Sequence, residues 1–310
     1  MTASPPPSAL FLSRRTLLLA GAGLGLTGCW GGEDKADAPT DPDSPDDGSL
    51  AWAIAGPWRA DARPRDPWRH PGETLAFFEL EADQTVVEVW PGAGYWTEIL
   101  APYLARGGGR LVAANFQVER PSPGEDPHAG SNLATAQLVA RYRERFQSNR
   151  RLYGEIEMTD FGPTSGPIAP AGSADLVLFM SNLHNWMAAG IAEKAFEDAY
   201  DALKPGGTLG VEQHRAAVGS IQDPAAADGY VQESFVKQLA AEAGFAFVAS
   251  SEVNANAEDT RDHPFGVWTL PPDRLTAPRG EAPNPAFDRA PYDAIGESDR
   301  MTLKFRKPTA

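Results

Sequence analysis

Two histidines stand shortly after apolar runs that have the composition of buried strands, separated from them by one to three residues. His184 and Asn185 follow the run 175–180, and His214 follows the run 208–212. A histidine gains or loses a proton near neutral pH, and an asparagine amide both donates and accepts hydrogen bonds. We predict that His184 accepts a proton, that Asn185 orients a polar group of a substrate, and that His214 completes the catalytic set.

The same segments also have structural interpretations, and the sequence leaves both open. His184 can cap the helix that follows it, and Trp186 belongs either to the core or to an apolar or cation–π wall of the site. His214 and Arg215, which close the fifth predicted strand, bind an anionic substrate group or form a surface salt bridge. Position at a strand end favours function but does not decide it.

A glycine turn joins the first predicted strand to the helix after it. The segment 88–95 reads EVWPGAGY, with glycines at Gly92 and Gly94. Glycines let the backbone approach a ligand closely, and the N-terminus of the next helix offers unpaired N–H groups to a carboxylate or phosphate. Thr97 stands where a dinucleotide fingerprint has its third glycine, so NAD is disfavoured. The alternative is a tight turn that binds no ligand.

Strands and helices alternate along most of the chain, and this pattern would position the candidate residues. Periodicity predicts strands at 85–90, 110–114, 152–156, 175–180, 208–212, 245–252 and 301–305, and helices at 73–78, 95–104, 133–146, 192–203 and 230–243. Such alternation predicts a mostly parallel, doubly wound sheet with helices on both faces. Ligands of these sheets bind beyond the carboxyl ends of the strands.

Two of these motifs resemble those of class I S-adenosylmethionine-dependent methyltransferases. They are the turn from Glu88 to Gly94 and the segment LKPGG at 203–207, and the resemblance covers about residues 70–252 plus the last strand. Further segments resemble a bacterial group of exported proteins described as predicted methyltransferases, namely RHP at 69–71, HNW at 184–186, DHP at 262–264, VWTL at 267–270 and IGESDR at 295–300. The resemblance implies a Rossmann-like seven-stranded sheet whose last strand is antiparallel.

The resemblance also implies a cofactor site for S-adenosylmethionine. The turn Gly92-Ala93-Gly94, with Tyr95 after it, would face the methionine part of the cofactor, and Glu88 would organise the turn. Asp160, just after the third predicted strand, matches the acidic residue that commonly accepts a hydrogen bond from the adenine amino group.

Two residues depart from the pattern of the family. Asn115 ends the second predicted strand, where most relatives have an acidic residue that holds the ribose hydroxyls, so a charge-assisted hydrogen bond is lost. Trp90 stands where many relatives have glycine. Its indole narrows the pocket, stacks on the ligand or excludes the cofactor.

Composition limits the classes of partner. The chain has 310 residues, 42% of them hydrophobic, and can bury a full core. Its formal net charge of -15 argues against nucleic acid as a partner, because phosphate binding needs clustered Lys and Arg. The polar segment 254–264 lacks regular ligand spacing, so we predict no metal. A small molecule is the expected acceptor.

The N-terminal segment predicts export. SRRTLLL at 13–19 is a twin-arginine pattern, and LTGC at 26–29 resembles a bacterial lipobox whose Cys29, the single cysteine, becomes acylated. This predicts a signal peptide at 1–28, a disordered tether at 29–50 and a methyltransferase-like domain at 51–310, lipid-anchored in the cell envelope or periplasm. The alternative is a hydrophobic N-terminal helix with a buried cysteine.

Three functions are compatible with these patterns. They are a small-molecule methyltransferase, a non-catalytic ligand-binding protein on the same fold, and another Rossmann-type enzyme. The resemblance favours the first. Export works against a methyltransferase, because S-adenosylmethionine is made in the cytoplasm. Export of the folded protein with the cofactor already bound would explain one bound molecule but not repeated catalytic turnover.

Overall fold

The computed structural model describes residues 47–118 and 130–309, and only the backbone at 130–132. Cys29, the predicted signal peptide and residues 29–46 of the predicted tether therefore lie outside the described residues. The strands are β1 (Thr85–Val89), β2 (Arg110–Phe116), β3 (Ile156–Phe161), β4 (Ala174–Met180), β5 (Leu203–His214), β6 (Ala246–Ser251), β7 (Pro264–Val267) and β8 (Arg300–Arg306).

The helices lie between these strands and before the first. They are α1 (Leu50–Ala55), α2 (Asp66–Arg69), α3 (Pro71–Phe77), α4 (Thr97–Gly107), α5 (Gly130–Gln147), α6 (Arg150–Tyr153), α7 (Leu183–Ala188), α8 (Ala192–Ala202), α9 (Glu233–Glu242) and α10 (Ala290–Ile295). Within the described residues, no helix is both long enough and apolar enough to cross a lipid bilayer.

Seven of the strands form one sheet, in the order β3-β2-β1-β4-β5-β8-β6. Neighbouring strands among β1 to β5 pair in parallel, whereas β8 runs antiparallel to both of its neighbours, β5 and β6. The short strand β7 is not a member of this sheet. The topology confirms the predicted fold class, an α/β doubly wound, Rossmann-like sheet with an antiparallel last strand.

Each face of the sheet is covered by helices because successive side chains of a strand point to opposite faces. On β1, Val87 and Val89 join a buried cluster with α7, α8 and α9, whereas Val86 joins a second cluster with α4 and α5. Glu88 lies on the same face as Val86 by this alternation and is 2% exposed. A carboxyl group is therefore buried directly beneath the glycine turn.

The order of the strands reverses between β1 and β4. The chain runs from β1 through β2 to β3 on one side of this point, and from β4 to β5 on the other. In open α/β sheets, ligands bind in the crevice at such a switch point, outside the carboxyl ends of the strands. Loops after β1 and β4 are therefore where a site is expected.

Two predicted elements differ from the structure. The third strand, predicted at 152–156, forms as β3 at 156–161, because α6 occupies 150–153, where the Asn149 side chain accepts a hydrogen bond from the Leu152 N–H. Asp160, predicted just after this strand, therefore lies within it.

The segment 204–207, which lies between the predicted helix 192–203 and the predicted strand 208–212, is part of β5. This strand pairs with β4 at Leu203, shifts register and pairs regularly again from Thr208. The lysine, proline and glycines of this segment thus form an irregularity within a strand.

Candidate active site

A polar pocket opens at the carboxyl ends of β4 and β5. Its volume is about 280 Å³, and it is lined by all three residues that the sequence predicts as catalytic, His184, Asn185 and His214. Asn185 is exposed at the first turn of α7, whereas His184 is 5% exposed. The three residues come together because parallel strands end at the same edge of the sheet.

Hydrogen bonds fix the proton position on His184. The Gln213 side-chain oxygen accepts from the Leu183 N–H at 3.2 Å, so its amide nitrogen must be the group 3.2 Å from His184 Nδ1. Burial lowers the pKa of His184 to about 4, although the bond with Gln213 raises it. The ring is therefore neutral at pH 7, accepts through Nδ1 and carries its hydrogen on Nε2. It is a hydrogen-bond donor toward the pocket rather than a base.

His214 has a different environment. Its Nδ1 lies 2.6 Å from the Ser298 Oγ, and its ring centroid lies 5.3 Å from that of His184. Burial lowers the pKa of His214 well below the ordinary value, and the neighbouring His184, Arg300 and Arg69 lower it further. A strongly lowered pKa makes the neutral imidazole a weak base at pH 7, so His214, like His184, is suited to hydrogen bonding with a substrate rather than to taking its proton.

Arginines from the N-terminal part of the chain form the opposite side of the pocket. Arg65 and Arg69 line it together with Glu297, which accepts from Arg65 Nε at 2.6 Å and from Arg69 Nε at 3.0 Å. Arg300 Nη1 donates to the same carboxylate at 2.7 Å. Glu297 is 3% exposed. Burial raises the pKa of Glu297, but the charges of Arg69, Arg300 and Arg65 outweigh this effect and lower the pKa to about 2.

The sequence predictions did not include these charged residues. The sequence did contain an indication of two of them, since Arg69 and Glu297 lie in segments that carry the resemblance, RHP at 69–71 and IGESDR at 295–300. Nothing in the spacing brings them together, because Arg65 and Glu297 are 232 residues apart in the chain.

Tyr95 connects the arginines to the glycine turn. The guanidinium carbons of Arg69 and Arg65 lie 4.7 and 5.6 Å from the centroid of the Tyr95 ring. Its hydroxyl donates to Asp66 at 2.6 Å, and burial, followed by this bond and the Asp66 charge, raises the pKa of Tyr95. Tyr95 stays neutral and supports the guanidinium groups over its ring.

The two glycines of the turn have different surroundings. Gly92 has φ +60°, and a Cβ placed on it would meet no atom within 4 Å. Gly94 has φ +92°, and its Cβ would lie 2.4 Å from the ring of Phe146, which is fully buried. The backbone at Gly92 is therefore open to a ligand, whereas Gly94 admits the close packing of α5. Ala93, between them, is exposed at the tip of the turn.

Trp90 covers the ends of the neighbouring strands. The residue has φ +53°, and its ring stacks on Phe116 with centroids 4.3 Å apart. Its Nε1–H donates to the Phe161 carbonyl at 2.8 Å, and Trp186 meets its edge at 5.9 Å. Trp186 is fully buried, so its predicted role as a wall of the site is wrong and its core interpretation is correct.

Three more predicted cofactor residues lie on the opposite face from Trp90. Asn115 is 1% exposed, and its amide nitrogen is 3.4 Å from the Ala113 carbonyl and 3.5 Å from the Met158 sulfur. Its amide is thus turned into the sheet in this structure. Asp160 pairs with Asn115 in the β2–β3 register and is exposed. Glu88 Oε2 accepts from Thr97 Oγ1 at 2.6 Å, which ties β1 to α4.

Other polar candidates are held by internal contacts. Arg215 forms ion pairs with Asp299 at 2.9 Å and Glu252 at 2.7 Å, as its salt-bridge interpretation requires. In the segment 254–264, the Asp259 carboxylate accepts from the Tyr230 hydroxyl at 3.0 Å and lies 2.8 Å from His263 Nε2. Among the described residues, no group of three or more His, Cys, Asp or Glu is placed to hold a metal.

Comparison with known proteins gives structural similarity at low sequence identity. No protein-family model and no curated protein matches the sequence. Similar solved structures include an S-adenosylmethionine-dependent methyltransferase from Aquifex aeolicus, with 17% identity, 66% of this chain and 93% of that chain covered, and a TM-score of 0.47.

Two further structures are similar at the same level. One is an S-adenosylmethionine-dependent methyltransferase from Mesorhizobium loti, with 13% identity and a TM-score of 0.43. The match covers 76% of this chain and 96% of that chain. The other is phosphoethanolamine N-methyltransferase 2 from Haemonchus contortus in complex with S-adenosyl-L-methionine, with 14% identity and a TM-score of 0.43. The match covers 60% of this chain and 39% of that chain. These TM-scores are below 0.5, so the proposals below rest on the geometry of the site.

Proposed function

We propose that the protein is an S-adenosylmethionine-dependent methyltransferase with a small-molecule acceptor. One observation carries this proposal: an open glycine backbone and a polar pocket lie on the two sides of the switch point. Asn182, which follows β4, donates from Nδ2 to the Trp90 carbonyl at 2.9 Å and so fixes the two loops against each other. Methyl transfer requires alignment of two ligands, and this arrangement supplies two adjacent sites.

The residues fit the amino-acid part of the cofactor. The backbone around Gly92 can be approached by a carboxylate, since no side chain or neighbouring atom fills the space beside it. When bound, S-adenosylmethionine supplies a methyl group on a sulfonium centre. His184 then donates from Nε2 to the acceptor, Asn185 orients it at the mouth of the pocket, and neutral His214 forms a further hydrogen bond with it.

A second candidate function is a non-catalytic ligand-binding protein on the same fold. The residues predicted to contact the nucleoside part of the cofactor favour this function. Trp90 is packed on Phe116, and the Asn115 amide is turned toward Met158. Ribose recognition by Asn115 and adenine recognition by Asp160 stay predictions, and the first requires the Asn115 side chain to rotate.

Calorimetric titration of the full-length protein with S-adenosylmethionine and S-adenosylhomocysteine tests the methyltransferase proposal. We expect binding to the wild type and a loss of at least about a hundredfold in Gly92→Leu, since the new side chain fills the ligand's place. Gly172→Leu is the matched control. Gly172 has φ +63°, is equally open and lies just before β4 at the amino end of the sheet. The strain of the two substitutions is therefore similar.

The titration has three outcomes, and they decide whether the cofactor site exists. Binding that Gly92→Leu abolishes and Gly172→Leu preserves supports the cofactor site. An equal loss in both variants would show that the effect is strain and not occlusion. No heat at millimolar ligand, with the wild type shown to be folded by circular dichroism, eliminates the methyltransferase and leaves the ligand-binding protein.

We also propose that the protein is exported and lipid-anchored through Cys29. The support is the order of three sequence features, the arginine pair, the apolar run and the lipobox-like LTGC. In cell fractionation, the wild type should be in the membrane fraction and Cys29→Ser in the soluble fraction of the cell envelope. Ser44→Ala, at a position outside both the twin-arginine pattern and the LTGC segment, is the control. A Cys29→Ser variant that stays with the membrane would rule out the anchor.

A further inference from the structure

The arginines of the polar pocket have unused hydrogen-bonding capacity. Arg65 and Arg69 each bind Glu297 through Nε alone. In the part of the chain that the structure describes, the terminal Nη groups of these two arginines form no hydrogen bond, although the Arg69 side chain is only 11% exposed. A guanidinium presents five N–H donors, so most of the donors of both residues are available to a ligand in the pocket.

The charges of this cluster do not cancel. Arg65, Arg69 and Arg300, with Arg279 of the same lining, contribute four positive charges. The carboxylates beside them are three: Glu297, Asp273, which also lines the pocket, and Glu212, which is 2.8 Å from Arg300 Nε. One positive charge is left, in a chain whose formal net charge is -15. Burying a cation without a partner is costly, so a bound anion would stabilise this cluster.

The two histidines do not change this balance. Both are neutral at pH 7, because burial lowers their pKa values. His184 adds an Nε2–H donor, which suits an oxyanion as well. Ser181 and Ser298 also line the pocket, but their hydroxyl groups are engaged with Glu212 and His214. The donors available to a ligand are thus the guanidinium N–H groups and the His184 Nε2–H, and the Asp273 carboxylate lies beside them.

The remaining wall is apolar and planar. Trp268, Pro271 and Pro272 line it, and Arg279 lies over the Trp268 ring at 4.5 Å from the centroid. A volume of about 280 Å³ is at the lower end of small-molecule sites. The ligand must therefore be small, with one end that accepts hydrogen bonds and one end that packs on the indole and the proline rings.

We propose that this pocket binds a small organic carboxylate with a planar apolar body, held through its carboxylate by Arg65 and Arg69. The guanidinium fork matches the planar carboxylate, and the single uncompensated charge matches its single negative charge. This ligand is the acceptor class of the methyltransferase, so this last step rests on the proposed function. The carboxylate site itself does not depend on it.

Benzoate is the probe, and neutral benzamide of nearly the same shape is its control. In ligand-observed NMR titrations of the full-length protein at pH 7.5, benzoate should bind at least about tenfold more tightly than benzamide. Arg69→Gln and Arg65→Gln should each weaken benzoate about tenfold and leave benzamide unchanged. Arg274→Gln, a nearby arginine that is 53% exposed and pairs with Asp293, should change benzoate binding less than about twofold.

The outcomes are distinct from those of the cofactor test. Equal binding of benzoate and benzamide, or an equal loss in Arg274→Gln, overturns the carboxylate site whatever S-adenosylmethionine does. Preferential binding of phenyl phosphate with no binding of benzoate also overturns it. If S-adenosylmethionine does not bind but benzoate behaves as expected, the methyltransferase fails and the carboxylate site stands. Should Arg69→Gln not fold, Arg65→Gln, at a side chain 28% exposed, decides the test.

Discussion

Glu297→Gln is expected to lower the free energy of unfolding by about 3 to 5 kcal/mol. The Glu297 carboxylate is 3% exposed and accepts hydrogen bonds from Arg65, Arg69 and Arg300. Gln keeps the shape but removes the charge, so three guanidinium groups are left with the single carboxylate of Glu212. Removing one partner of a buried ion pair leaves an uncompensated charge, which costs far more than the pair itself contributes.

Urea denaturation at pH 7.5 measures this loss, and Glu157→Gln is its control. Glu157 is also paired with an arginine, since Arg110 Nη2 lies 3.0 Å from it, but these side chains are 41% and 70% exposed. Solvent screens such a pair, so the control should change stability by less than about 1 kcal/mol. Similar losses in both variants would mean that burial of the arginine cluster does not contribute in this way.

The sequence predicted the sheet well because the strands of its centre are buried on both faces. Apolar runs such as that of β4, from Ala174 to Met180, have few other interpretations. The prediction began the third strand four residues too early, at 152, because a capping side chain, Asn149, favours a helical turn there. Local hydrogen bonds of this kind outweigh periodicity in short segments.

The site was predicted only where it depends on topology. His184, Asn185 and His214 could be placed together because each follows a strand of the same parallel sheet. Arg65 and Arg69 could not, because they precede the first strand, and their position depends on Glu297 near the opposite end of the chain. Long-range ion pairs leave no periodic signal in a sequence.

The surroundings of Trp90 show the same limit. The sequence shows that Trp90 stands in place of a glycine. It does not show whether the indole narrows the pocket, stacks on the ligand or excludes the cofactor. The structure places the ring on Phe116 at 4.3 Å, with its Nε1–H bonded to the Phe161 carbonyl. The indole is thus part of the wall between the strand ends, and a nucleoside must bind beside it or displace it.

Glu88→Gln is expected to remove a pH dependence of stability that the wild type has. Burial raises the pKa of Glu88 from 4.5 to about 7, although the bond from Thr97 lowers it. A group whose pKa is raised on folding binds more protons in the folded state. Protonation of Glu88 therefore stabilises the folded state fully below pH 4.5, and this stabilisation is lost as the pH rises to about 7. The loss amounts to about 3 kcal/mol, at about 1.4 kcal/mol per unit.

The measured quantity is the free energy of unfolding of the wild type minus that of Glu88→Gln, from pH 4.5 to 7.5. We expect this difference to fall by about 3 kcal/mol over the range, because Gln keeps an acceptor for Thr97 but cannot ionise. His184 and His214 act in the opposite sense, since their lowered pKa values destabilise the folded state as the pH falls below 6.5. Both proteins contain these histidines, so their effect cancels in the difference. Parallel curves for the two proteins would mean that the carboxyl group is solvated, and that β1 and α4 are not joined by a buried hydrogen bond beneath the turn.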